Sequence, residues 1–71
     1  MNVHFTPALH DDLDQSLNDA IAANGIVNIT RLSEQIRVRN ETLNVALEDI
    51  EAELMRRALV RNAVMEFDPA G

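Results

Sequence analysis

Apolar residues recur every three or four positions over long parts of this chain, and between those parts they crowd together or vanish. Leu9, Leu13, Leu17, Ala20 and Ile21 form the first such line, one apolar stripe on a helix. Its ends are marked. Thr6 can cap the free backbone N–H groups, and Pro7 suits the first helical position because its missing donor is not needed there. Asn24-Gly25 closes the helix, since glycine takes the left-handed conformation cheaply. The pattern predicts a helix from about residue 7 to 24, with Asp11, Asp12 and Asp14 in its early turns, where they favour the helix dipole.

Ile26-Val27-Asn28-Ile29 follows as a short β-like run. A second helix is predicted from Thr30 to Arg37, with Thr30 as its cap, Leu32 and Ile36 on its buried face and Glu34 in its first turn. Val38, set between Arg37 and Arg39, is expected to plug the corner that follows. Asn40 can cap a third helix reaching about Arg57, because Leu43, Ala46, Leu47, Ile50 and Leu54 share one face at roughly 100° per residue. Beyond it, Leu59, Val60, Ala63, Val64, Met65 and Phe67 would point all round a continued helix. A strand pair turning near Arg61-Asn62 fits them better, although that turn lacks glycine. Asp68-Pro69-Ala70-Gly71 reads as a flexible tail after a single domain over residues 1–67.

The predicted fold is therefore mostly α: three helices in a helix-turn-helix order, with a minimal or absent β hairpin. Its expected core is Leu9, Leu13, Leu17, Ala20, Ile21, Ile29, Leu32, Ile36, Val38, Leu43, Ala46, Leu47, Ile50, Leu54 and Leu59. With 71 residues that core is small, since a domain of this size buries only about 60% of the surface its unfolded chain exposes. A dimer would add to it, and Met55, Met65 and Phe67 are candidates for core or dimer seam. The absence of cysteine removes disulfides and zinc knuckles as supports and points to a reducing, cytoplasmic setting. No stretch approaches the roughly 20 apolar residues of a membrane helix, so no membrane role is expected.

Residues 20–61 resemble the winged helix-turn-helix domain of bacterial transcription regulators. The likeness lies in Ala22-Ala23-Asn24-Gly25 closing helix one, Ile29-Thr30-Arg31-Leu32-Ser33-Glu34-Gln35-Ile36 as helix two, and Val38 in the turn. Thr42-Leu43-Asn44-Val45-Ala46-Leu47 would open the recognition helix, and Arg56-Arg57-Ala58-Leu59-Val60-Arg61 would lead into the first wing strand. Arg37 and Ala58 stand where such domains often place glycine, and helix three is about one turn longer, which keeps its stripe in phase at about 3.6 residues per turn. The resemblance implies DNA binding, with helix three in the major groove.

Charge changes that picture. The chain carries six arginines and no lysine against twelve acids, a net charge of −6, and DNA affinity comes mainly from cations that neutralise phosphates. The groove-facing positions implied by the resemblance are Asn40, Glu41, Asn44, Val45 and Glu48. Asparagine can read adenine and glutamate can accept from cytosine, yet nothing there holds phosphate or reads guanine. Asp49, Glu51 and Glu53 add further negative charge.

Two readings of function follow. In the first the chain is a non-enzymatic interaction module offering Glu41, Asn44, Val45 and Glu48 to a basic protein partner or to another copy of itself, including the variant in which the acidic face imitates DNA. The alternative is a small dimeric DNA-binding regulator. It would use Arg31, Arg37, Arg39, Asn40 and Asn44 at the groove and Arg56, Arg57 and Arg61 on flanking phosphates. Against the alternative, the arginines can equally pair with Glu34, Glu41, Glu53 and other acids as solvated charges. His4 and His10 beside Asp11, Asp12 and Asp14 suggest a metal site only weakly, and a solvated acidic helix start is the better reading. Ser16 and Ser33 have no histidine near them in sequence, and neither glycine lies in a phosphate loop, so no catalysis, cofactor or small-molecule substrate is expected.

Overall fold

The computed structural model describes residues 5–69. The expectations for His4, Ala70 and Gly71 lie outside the described residues. The elements run α1 (Pro7–Asn24), β1 (Ile26–Asn28), α2 (Ile29–Arg39), a 3-10 turn (Glu41–Leu43), α3 (Leu47–Val60) and β2 (Val64–Glu66). The molecule is mostly helical, with three helices and a minimal β part. No helix among the described residues is long and apolar enough to cross a membrane.

The first helix forms where its local signals place it. Thr6 Oγ1 accepts the Leu9 N–H at 3.1 Å, Pro7 opens the helix, and Gly25 ends it at φ 69° with its N–H on the Ile21 carbonyl. Leu9, Leu13 and Leu17, each four residues apart, are sealed in the core. The first turn itself holds no acid, so Asp11, Asp12 and Asp14 sit too far along to gain much from the dipole.

The cap of α2 differs from expectation. Asn28, not Thr30, accepts the Arg31 N–H at 3.0 Å, and the helix runs on to Arg39. Ile29, Ser33 and Ile36 are its buried residues. Val38 is 61% exposed and plugs nothing, because the helix carries it past the corner onto the outer face.

Helix three does not begin at Asn40. The Asn40 N–H still closes α2 on the Ile36 and Arg37 carbonyls, and Asn44 then turns left-handed at φ 54° to end the 3-10 turn. This interruption resets the phase of the apolar stripe. Leu43 and Ala46 fall on the outside, Val45 packs half-buried against the core, and α3 buries Ile50, Leu54 and Ala58. Because α3 runs past Arg57 to Val60, the place expected for Leu59 in the core is taken by Ala58, one residue earlier.

The predicted strand pair after α3 is also corrected. The helix continues to Val60 and is stopped by Asn62 at φ 55°, with the Asn62 N–H on Leu59 O and the Ala63 N–H on Ala58 O. This paired closure usually uses glycine, and asparagine is the common substitute. Among the described residues a single strand follows, and it pairs parallel with β1, setting Ile26 against Val64, Val27 against Met65 and Asn28 against Glu66. Parallel neighbours need a long crossover, which α2 and α3 supply. Val27 is fully buried and Met65 packs on the core, while Ile26 and Val64 stay exposed on the outer face of the sheet. The tail begins later than expected, for the Asp68 N–H bonds Thr30 Oγ1 at 3.1 Å and its carboxylate takes Asn28 Nδ2 at 2.9 Å.

Candidate functional site

The arginines decide what this surface can hold, and most of them are occupied. Arg39, in the last turn of α2, donates to both oxygens of Asp12 on α1 at 2.8 and 3.2 Å. The same carboxylate accepts from Asn40 Nδ2 at 2.8 Å and from Ser16 Oγ at 2.9 Å. These donors hold the Asp12 carboxyl below its usual range, Arg39 foremost, against the opposing pull of partial burial.

A second knot joins α3 to α1. Arg57, only 13% exposed, donates to Glu53 at 2.8 Å, to Asp14 at 2.7 Å and to the His10 ring nitrogen Nδ1 at 2.5 Å. Arg56 reaches Glu53 from the solvent side at 2.5 Å. With Arg56 foremost and Arg57 beside it, the Glu53 carboxyl is pulled down to about 2, although burial opposes the shift. Arg61 donates to Asn18. At the other end of the molecule Arg31 pairs with Asp68 at 2.8 Å, and that contact, with Asn28, lowers the Asp68 carboxyl.

Arg37 alone among the arginines makes no side-chain hydrogen bond or ion pair to the described residues. Arg31 and Arg39 do line one open depression of about 610 Å³ along α2, with Glu34, Gln35, Val38 and Asp68. Both enter it already paired. Arg56, Arg57 and Arg61 lie on α3 and its end, turned toward Glu53 or toward α1. The expected partners of the arginines are met at Glu53, while Glu34 and Glu41 make no ion pair among the described residues and Asp12, Asp14 and Asp68 act instead.

The acidic candidates behave differently. Glu41 and Asn44 are exposed on the α2–α3 connection rather than on a helix face, Val45 is drawn half-inward, and Glu48 is exposed in the first turn of α3. From Asn40 to Met55 the chain has no arginine. Glu41, Glu48, Asp49 and Glu51 make no ion pair or side-chain hydrogen bond among the described residues, so their charge is presented to solvent. The first turn of α3 has no side-chain cap, and Glu48 and Asp49 sit favourably at its positive end.

Sequence reasoning missed one feature of this side. Ala52, Met55 and Leu59 follow Glu48 at spacings of four, three and four, and all four are exposed, so α3 shows an outward line that turns from acidic to apolar. Counting on by four from Ile50 and Leu54 reaches Ala58, which would have put Leu59 outside. Ser16 is committed to Asp12 and Arg39, and Ser33 is sealed in the core. Among the described residues no group of three His, Cys, Asp or Glu side chains is placed to hold a metal ion. No family model, curated protein or solved structure matches the chain.

Proposed function

We propose that the chain is a non-enzymatic, acidic helix-turn-helix module of the winged type, working in the cytoplasm, whose α2–α3 connection and first α3 turns bind a basic protein partner. One observation carries this reading. Among the described residues Glu41, Glu48, Asp49 and Glu51 meet no counter-charge, while all arginines but Arg37 are engaged. A row of free carboxylates is complementary to lysines and arginines, and like-charge repulsion turns away a phosphate backbone. The same row suits imitation of DNA toward a nucleic-acid-binding protein.

The reading is tested by fluorescence anisotropy with two probes at about 50 mM salt, where phosphate and carboxylate contacts are strongest, repeated at about 200 mM. A labelled arginine-rich peptide should bind, and the double variant Glu41→Arg with Glu48→Arg should abolish binding. Labelled mixed-sequence duplex DNA should not bind. A DNA complex that weakens steeply with salt and disappears in Arg37→Ala with Arg39→Ala would replace this reading with the dimeric regulator.

A further inference from the structure

Among the described residues no element covers the outward face of α3 beyond its acidic end. Met55 is 40% exposed, Leu59 67% and Val60 74%, on a helix whose opposite side buries Ile50, Leu54 and Ala58. Isolated exposed apolar residues are ordinary, but these lie on consecutive turns of one helix, with the small Ala52 continuing the line. Exposed apolar side chains also sit on the outer face of the sheet, at Ile26 and Val64, and there the flanking Asn28 and Glu66 bond each other.

We infer that α3 pairs antiparallel with α3 of a second copy along Ala52, Met55 and Leu59. Charge selects that occupant. The acids of the helix, Glu48, Asp49, Glu51 and Glu53, lie in its N-terminal half, and its exposed cation, Arg56, lies in the C-terminal half, paired with Glu53 on its own helix and still open to solvent. The complement of this pattern is the same helix reversed. Parallel pairing would stack Glu48 on Glu48 along the seam, whereas antiparallel pairing opposes acidic and basic ends and also opposes the two helix dipoles.

Size fits as well. When Ala52 of each copy faces Met55 of the other, the small side chain leaves the hollow that the flexible large one fills. At the same register Asp49 and Arg56, on one flank of the stripe, face each other across the pair. The interface is isologous and closes on itself at two copies. It goes beyond the binding of a basic partner: Glu41 and Asn44 stay open, Glu48 comes to lie at the end of the seam beside Leu59 of the other copy, and the dimer would carry two acidic ends facing opposite ways.

Sedimentation equilibrium of the full chain across a wide concentration range, without any cationic probe, tests self-association separately from the proposed function. Wild type should show a monomer–dimer equilibrium. Leu59→Glu, at an exposed position, should keep the helical circular dichroism and raise the dissociation constant roughly tenfold or more. Asp49→Arg and Arg56→Glu should each weaken the dimer, and the two together should restore it. Val64→Glu on the sheet face should change nothing. The proposal is overturned by a wild type that stays monomeric, by a Leu59→Glu dimer as strong as wild type, by loss of the dimer in Val64→Glu, or by failure of the double exchange to restore pairing.

Discussion

The seam where α1 meets α2 and α3, and the outward side of α3, are made of the same residue types and use them in opposite ways. On the seam, Asp12 holds Arg39, while Asp14 and Glu53 hold Arg57. Leu9, Leu13 and Leu17 are sealed between the helices. On the outward side, Glu48 and Glu51 hold none of the described residues, and Leu59 is exposed. The difference shows why net charge alone understates the asymmetry of this protein. Internal pairing engages most of its cations, so acids are left without counter-charge among the described residues, and Glu41, Glu48, Asp49 and Glu51 follow one another from the α2–α3 connection into the start of α3. Apolar surface is left over just beyond it.

The contrast breaks most visibly at two leucines of one helix. Leu54→Ala removes a fully buried side chain and should cost about 2–5 kcal/mol in urea denaturation, a large share of what so small a domain can have. Leu59→Ala, measured at a concentration dilute enough to keep the chain monomeric, should stay within about 0.5 kcal/mol. Equal losses at the two positions would mean that Leu59 is covered within the monomer, and the division into a seam and an open face would fail.

The next largest effect belongs to the arginine knot. Arg57→Ala leaves the partly buried Glu53 facing only Arg56 and frees Asp14, and it should cost about 1–3 kcal/mol by the same measurement. Arg56→Ala, in a solvent-exposed pair on the same helix, should cost far less. Acid titration sharpens the point. Glu53 has a folded value of about 2 against an ordinary 4.5, so its contribution is whole above about pH 4.5 and is lost as pH falls through about 2. In that window the unfolded chain binds the extra proton. The stability gap between wild type and Glu53→Gln should therefore shrink as pH drops from about 4.5 to about 2, and a constant gap would show that the carboxylate is not held by the arginines.

The two regions are not equally legible in the sequence, and the reason is range. Thr6, Pro7 and Gly25 act within a few residues of themselves, so the bounds of α1 follow from local pattern alone. The end of α2 depends on Asn40 reaching Asp12, 28 positions away, and no local pattern announces that bond. Asn44 and Asn62 both turn left-handed, which asparagine tolerates but does not require, so the breaks before and after α3 depend on Val45 and Ala63 docking against the core. The pairing of β2 with β1 is likewise a tertiary event. At the candidate site, the stretch from Asn40 to Met55 without an arginine is plain in the sequence. Which acids hold the arginines is not, because Asp12, Asp14 and Asp68 meet them from distant parts of the chain. Leu59 is misplaced because α3 runs on to Val60, past its expected end near Arg57, and the count by four from Ile50 and Leu54 then buries Ala58 instead.

The smallest predicted change raises stability and tests the seam from inside. Ser33 lies in the middle of α2, fully buried, and its hydroxyl has no hydrogen-bond partner among the described residues. A buried hydroxyl without a partner forfeits the bonds it made to water in the unfolded chain, and removing it relieves that loss while deleting a single atom's volume. Alanine also has the higher helix propensity. Ser33→Ala should therefore stabilise the protein by up to about 1 kcal/mol, raising the urea midpoint with the slope unchanged. Ser33→Val keeps the site apolar but places a larger, branched side chain at a fully buried position, so it should lose stability through overpacking. If alanine destabilises instead, the hydroxyl has a partner inside the seam, and the packing of α2 there is tied by a polar contact as well as by Ile29 and Ile36.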